Sequence, residues 1–284
     1  ELALAQAGEK ELEEMKPGWI ISFGGQVVSK GLKLFLQSIP RLHSIEIPPG
    51  MENHFFGQLS AEESATGTTF SRLWKKVESK AVAEGLKKLG EVPFSNLAAV
   101  HRLLESVPDG TVIHTGNSAA IRYSQLVPVR IGLSYFSNRG ISGIDGCLST
   151  AVGAALVSDR EHLLILGDLS FVYDSNALWN KDFPENLKIV VLNDRGGGIF
   201  RLLDGPARMS FSAEFQVTSH PVSIHHLCTA FGRSCLEAGS EEELEEKLEF
   251  FFSKRSEAIV LEVDTSGSEN SRIFKEFLRV ITKG

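Results

Sequence analysis

Cysteine is scarce in this sequence, and so is concentrated positive charge. The three cysteines, Cys147, Cys228 and Cys235, are odd in number and lack metal-ligand spacing. That argues against a disulfide framework or a zinc site and leaves reduced core thiols of a cytoplasmic protein as the expectation. No cluster of lysine and arginine interrupts a chain of net charge −7, so nucleic acid and anionic membrane surfaces are not expected partners. No apolar run approaches membrane-spanning length, no signal-peptide pattern stands at the start, and repeats and low-complexity tracts are absent. The first residues, Glu1-Leu2-Ala3, read as the start of a fragment. What is plentiful is glycine, with 26 residues, and apolar side chain, at 42% of 284 residues, enough for one large core or two ordinary ones. Two domains are the better expectation.

The most informative stretch runs from Leu163 to Phe200. An apolar run, Leu163 to Leu166, is broken by Gly167-Asp168, and a second, Ile189 to Leu192, is broken by Asn193-Asp194-Arg195 and three glycines. Both read as buried strands ending in a carboxylate. The piece between them, Phe171 to Asn180, has the spacing of a short helix, and a strand-helix-strand unit of this length makes neighbouring parallel strands. Asp168 and Asp194 then stand side by side outside the carboxyl ends of the strands, where doubly wound sheets bind ligands. Two carboxylates and a backbone carbonyl suit a hard cation such as Mg2+, and Gly196-Gly197-Gly198 leaves backbone bare for close approach to a phosphate. A lone Gly-Asp pair would more simply cap a helix, with the glycines making a turn.

Gly-Asp followed at a distance by Asn-Asp and a glycine run resembles the diphosphate-binding signature of thiamine diphosphate-dependent enzymes. SNRGISGIDGCLSTAVGAAL (Ser137 to Leu156), GNSAAIR (Gly116 to Arg122) and GDLSFVYDSNAL (Gly167 to Leu178) are similar to one branch, the MenD synthases of the menaquinone pathway, from about Gly18 to the end of the chain. That resemblance implies decarboxylation of 2-oxoglutarate and addition of the succinyl-semialdehyde unit to isochorismate. It implies thiamine diphosphate with Mg2+ (or Mn2+) on Asp168, Asp194 and the carbonyl of Gly196, and Gly167, Leu169 and Ser170 at the diphosphate. Asp194 departs from the asparagine usual in the family, and a further negative charge beside a diphosphate should weaken the cofactor unless the metal or Arg195 compensates. The resemblance further places Asn117 and Ser118 toward cofactor and substrate, with Arg122 and Arg139 on substrate carboxylates. Ile144 becomes the apolar wedge that bends the cofactor, flanked by Ser142 and Gly143.

Elsewhere the expectations are more modest. Gly18 to Phe23 reads as a strand into Gly24-Gly25, which lacks dinucleotide spacing, and Val27 to Gln37 as a helix. Leu42 to Ile47 reads as a strand, Glu52 to Thr69 as a polar loop or edge, and Phe70 to Leu89 as a helix with a solvated lysine face. Asn96 to Val107 should be a helix, Thr111 to His114 a strand ahead of a helix from Ala119 to Leu126, and Leu133 to Phe136 an aromatic strand. Gly143 and Gly146 allow a sharp entry into the helix Leu148 to Leu156, which Asp145 is expected to cap. Phe200, Leu202 and Leu203 can cover the site from water, with Phe200 and Leu203 near substrate. His220, His225 and His226 lack the spacing of metal ligands and are expected at a helix start and the surface. Ser240 should cap a helix from Glu241 to Arg255, followed by a strand from Ala258 to Val263 and a helix from Arg272 to Ile281.

The expected fold is α/β: a doubly wound parallel sheet over residues 92–284 with the thiamine diphosphate-binding fold, preceded at 1–91 by the later part of a Rossmann-like middle domain. The resemblance also implies a homo-oligomer, dimer or tetramer, when complete. The glutamate such enzymes set against the aminopyrimidine comes from a separate domain with no candidate in this sequence, so the chain alone should be inactive. Another thiamine diphosphate-dependent decarboxylase or acetolactate-type synthase, and a non-catalytic binding module, are the alternatives. A nicotinamide dehydrogenase rests on Gly24-Gly25 alone.

Overall fold

Apolar runs too short for helices become strands when both faces can be covered, and the larger sheet of this protein is built from such runs. The computed structural model describes residues 2–22, 27–47, 69–253 and 259–283. The chain divides into two compact units, Glu1–Lys88 with Leu278–Gly284, and Leu89–Phe277.

In the first unit, α1 (Leu2–Gln6) and α2 (Glu9–Glu14) precede β1 (Trp19–Ser22). After α3 (Lys30–Gln37), β2 (His43–Glu46) pairs with β1 in parallel, and Trp19 stacks on His43 with centroids 4.5 Å apart. Helix α3 starts at Lys30 rather than Val27 because the Ser29 hydroxyl caps it, accepting the Leu32 N–H at 2.9 Å. In α4 (Thr69–Leu89), Val77 is buried while Lys75, Lys76, Lys80 and Lys87 are exposed. Gly24-Gly25 and the polar stretch 52–68 lie outside the described residues.

The second unit alternates helix and strand: α5 (Asn96–Ser106), β3 (Val112–Thr115), α6 (Ala119–Ser124), β4 (Ser134–Phe136), α7 (Cys147–Leu156) and β5 (His162–Gly167). Next come α8 (Asp168–Tyr173), β6 (Leu187–Asn193), α9 (Ile199–Leu202), α10 (Asp204–Ala207) and α11 (Ile224–Ala230). It continues with β7 (Cys235–Ala238), α12 (Glu241–Phe251), β8 (Val260–Asp264) and the start of α13 (Asn270–Lys283). The six strands form one parallel sheet in the order β4-β3-β5-β6-β8-β7, the doubly wound α/β arrangement expected. Small residues let α7 lie close to it, so that Leu148, Ala151 and Ala155 join Leu164, Leu166, Ile189 and Val191 in the core around Phe171. The chain leaves β3 as it passes β5 so closely that a Cβ on Gly116 would sit 2.9 Å from the Leu166 side chain.

Several element ends differ from the sequence reading. The helix after β5 begins at Asp168 rather than Phe171, and a separate 3-10 turn, Ser175–Trp179, completes the connection. Asp145 does not cap α7: Gly146 holds that position with φ 71°, a conformation that favours glycine, and the exposed Asp145 side chain folds over Gly143. The buried carboxylate of Asp174 serves the first turn of α7 instead, accepting the Ser149 N–H at 2.7 Å and the Ser149 hydroxyl at 2.5 Å. Ser240 caps α12 as expected, its hydroxyl accepting the Glu243 N–H at 3.2 Å, but the helix ends at Phe251. Ala258 lies outside the described residues, and the last strand runs from Val260. Among the described residues no helix is long and apolar enough to cross a membrane.

Candidate active site

From β3 the chain turns toward one edge of the sheet, and from β5 toward the other. A crevice opens at the carboxyl ends of strands at such a divergence. Here it holds a cavity of about 460 Å³. The β3–α6 connection contributes Asn117, Ser118 and Arg122 to its wall, and the segment after β4 contributes Arg139, Ser142, Gly143 and Ile144. Gly167, Asp168, Leu169 and Ser170 come from β5–α8, and Asp194, Gly196 and Phe200 from the end of β6 and beyond. Of the residues singled out in the sequence to bind at or cover this site, Leu202 and Leu203 stand apart from the lining. Asn96 and Tyr123, which the sequence reading passed over, also line it.

Asp168 is buried at the first position of α8. Its Oδ1 accepts the Leu169 N–H at 2.7 Å, while Oδ2 accepts the Gly196 N–H at 2.8 Å and bonds His220 Nε2 at 3.1 Å. Burial nevertheless pushes its carboxyl above the usual carboxylate range. For Asp194, burial and then the charge of Asp168 push the pKa up to about 7, against a smaller opposing effect of Arg201. The Asp194 carboxylate folds over Gly198, where any Cβ would collide with it.

The glycine run spends its missing side chains on the protein itself. Gly196 has φ 147°, and a Cβ there would lie 2.7 Å from the Val217 carbonyl oxygen; the Gly197 N–H donates to the same oxygen at 2.5 Å. The bare backbone expected to approach a phosphate thus lets residues 216–220 press against the turn, and so brings His220 to Asp168. This corrects the expected surface role of His220, whose imidazole is only 10% exposed. His225 does pair at the surface with Glu237 at 2.8 Å, and His226 lies in the first turn of α11, capped by Ser223. Among the described residues no three His, Cys, Asp or Glu side chains gather into a ready metal centre, so a cation here would need carbonyl or ligand oxygens besides the two aspartates.

On the opposite wall, Arg122 Nη1 donates to the Ser118 carbonyl at 2.5 Å, and burial together with Arg139 lowers the Arg122 pKa. Arg139 Nη1 donates to Asn117 Oδ1 at 2.7 Å, while its Nε is buried without a hydrogen-bond partner among the described residues. The Asn117 amide is already engaged, since Nδ2 donates to the carbonyls of Asn138 and Gly143, both at 2.7 Å. The Ser170 hydroxyl donates to the Ile144 carbonyl at 2.5 Å, tying Ile144 to α8. Asn117 and Ser170 therefore clamp the walls together, and the guanidinium groups are what the cavity offers an anionic ligand.

Residues 115–263 match the thiamine pyrophosphate enzyme family at its C-terminal TPP-binding domain. The chain belongs to this enzyme family. Relatives similar to it include 2-succinyl-5-enolpyruvyl-6-hydroxy-3-cyclohexene-1-carboxylate synthases. That of Desulfotalea psychrophila is 43% identical over 258 residues, 88% of this chain and 47% of the relative. That of Flavobacterium johnsoniae is 34% identical over 290 residues, 96% and 52% of the two chains. The chain thus spans about half the length of the curated relatives it matches.

The residues present fit the metal that the thiamine pyrophosphate family implies. Burial raises the cost of ionising both carboxyls, and Asp168 raises that of Asp194 further; a divalent cation between them would remove it. Asp168 Oδ1 and the Gly196 carbonyl, which accepts the Gly198 N–H at 3.0 Å, each keep a lone pair for such an ion.

Proposed function

We propose that this chain is the C-terminal part of a thiamine diphosphate- and Mg2+-dependent synthase that decarboxylates 2-oxoglutarate and adds the succinyl-semialdehyde unit to isochorismate. The observation that carries the reading is the meeting of Arg122 and Arg139, the latter with a buried Nε left without a partner among the described residues, in the cavity that the aspartate pair also lines. Both substrates carry two carboxylates, and paired guanidinium forks suit them. The names of the similar synthases support the same reading.

In this reading Asp168, Asp194 and the Gly196 carbonyl hold Mg2+, or Mn2+ in its place, and residues Gly167 to Ser170 with Ser142 and Gly143 border the cofactor. The bound cofactor would supply the carbanion chemistry. Arg122 and Arg139 orient substrate carboxylates beside Ser118, Ile144 props the cofactor from the turn that Ser170 anchors, and Phe200 shields the reacting centre from water. Residues 1–91 are then the later part of a middle domain and 92–284 the diphosphate-binding domain of a cytoplasmic homo-oligomer.

A calorimetric titration with thiamine diphosphate, with and without Mg2+, tests the site. Heat that requires Mg2+ and disappears in Asp168→Ala is the expected result. Equal heats from the parent and Asp168→Ala would overturn the assignment.

A further inference from the structure

His220 is held at Asp168 by more than proximity. Its Nδ1 accepts the Val222 N–H at 3.2 Å, so the neutral ring carries its proton on Nε2 and presents a donor to Asp168 Oδ2 at 3.1 Å. Delivering that donor takes a special backbone: Thr218 adopts φ 52°, unfavourable for a β-branched residue, and the preceding residues lie on Gly196 and Gly197. A histidine that merely began a helix would need none of this.

Two donors, the Gly196 N–H and the His220 Nε2–H, converge on Oδ2, whereas among the described residues Oδ1 receives the Leu169 N–H alone. We propose that His220 is a positioning residue for the metal: it fixes the rotation of the Asp168 carboxylate, occupies Oδ2 and leaves Oδ1 as the ligating oxygen. This rests on the reading above that Asp168 holds the cation, and deepens it by naming the donor that orients the ligand. Groups that orient a metal ligand from behind commonly govern affinity as strongly as the ligand's own geometry.

The test uses the chain with Mn2+ and thiamine diphosphate, bound Mn2+ being read by electron paramagnetic resonance and the fold of every variant by thermal melting. His220→Leu removes the donor and should weaken thiamine diphosphate-dependent Mn2+ binding about ten- to a hundredfold. His220→Gln, whose amide nitrogen reaches the position of Nε2, should restore most of the loss. His220→Asn, polar but too short, should bind no better than the leucine variant and keeps the comparison open if the leucine variant unfolds. Parent-like affinity in a folded His220→Leu or His220→Asn, or no recovery in His220→Gln, overturns the proposal. No Mn2+ binding by the parent, with Asp168→Ala indistinguishable from it, overturns the underlying assignment of the metal site and this proposal with it.

Discussion

Asp194 shares buried space with Asp168, and its proton is where the cost of that arrangement appears. Its folded pKa, raised to about 7 from the usual aspartate value near 3.8, favours the protonated form in the native state. The stabilisation linked to that proton is therefore fully present below the unfolded value and is lost as pH climbs through about 7. At 1.36 kcal/mol per pKa unit this amounts to something on the order of 4 kcal/mol. The melting temperature of the metal-free chain should fall between about pH 4 and pH 8, and Asp194→Asn, neutral throughout, should flatten the decline. Parallel declines in the two proteins would acquit the carboxylate pair. The unusual residue itself was visible in the sequence as Asn193-Asp194, but its strain was not, because that depends on burial and on the charge of Asp168 nearby.

The elements owe their interiors to local sequence and their ends to caps that are local in some cases and remote in others. Strands β5 and β6 follow directly from two apolar runs, and Ser95, whose hydroxyl accepts the Ala98 N–H at 3.3 Å, starts α5 where a serine ahead of an apolar periodicity should. Helix α7 shows the opposite case. The nearby Asp145 was the natural cap, yet Asp174, 25 residues away from Ser149, provides the acceptor from its site just after α8. Asp174→Ala would leave the Ser149 N–H and hydroxyl without that acceptor and should cost about 1–3 kcal/mol, measurable by urea unfolding. An unchanged midpoint would mean that water or another side chain replaces it. The residue was legible as part of the GDLSFVYDSNAL stretch; its partner was not.

At the scale of the molecule, the cavity in the second unit presents two aspartates and two arginines but, among the described residues, no glutamate. In the proposed reading, the carboxylate that activates the cofactor must then come from another domain. The purified chain, supplied with thiamine diphosphate and Mg2+, should release no carbon dioxide from 2-oxoglutarate. Release by a preparation free of any longer enzyme would show that the chain holds a complete centre.

The sequence by itself determined most of the alternation of helices and strands, though not β7 or the short helices between β6 and β7, together with the parallel sheet and the location of the two aspartates at strand ends. Hydrophobic period, glycine breaks and the handedness of crossovers are local or nearly local properties, and they suffice for that much. Only the tertiary structure decided that His220 reaches Asp168, 52 residues away, that Asn117 is consumed in clamping two turns, and that the glycines admit the Val217 backbone. Each of these depends on two distant stretches passing within hydrogen-bonding distance, a property of packing that no period or spacing along the chain encodes.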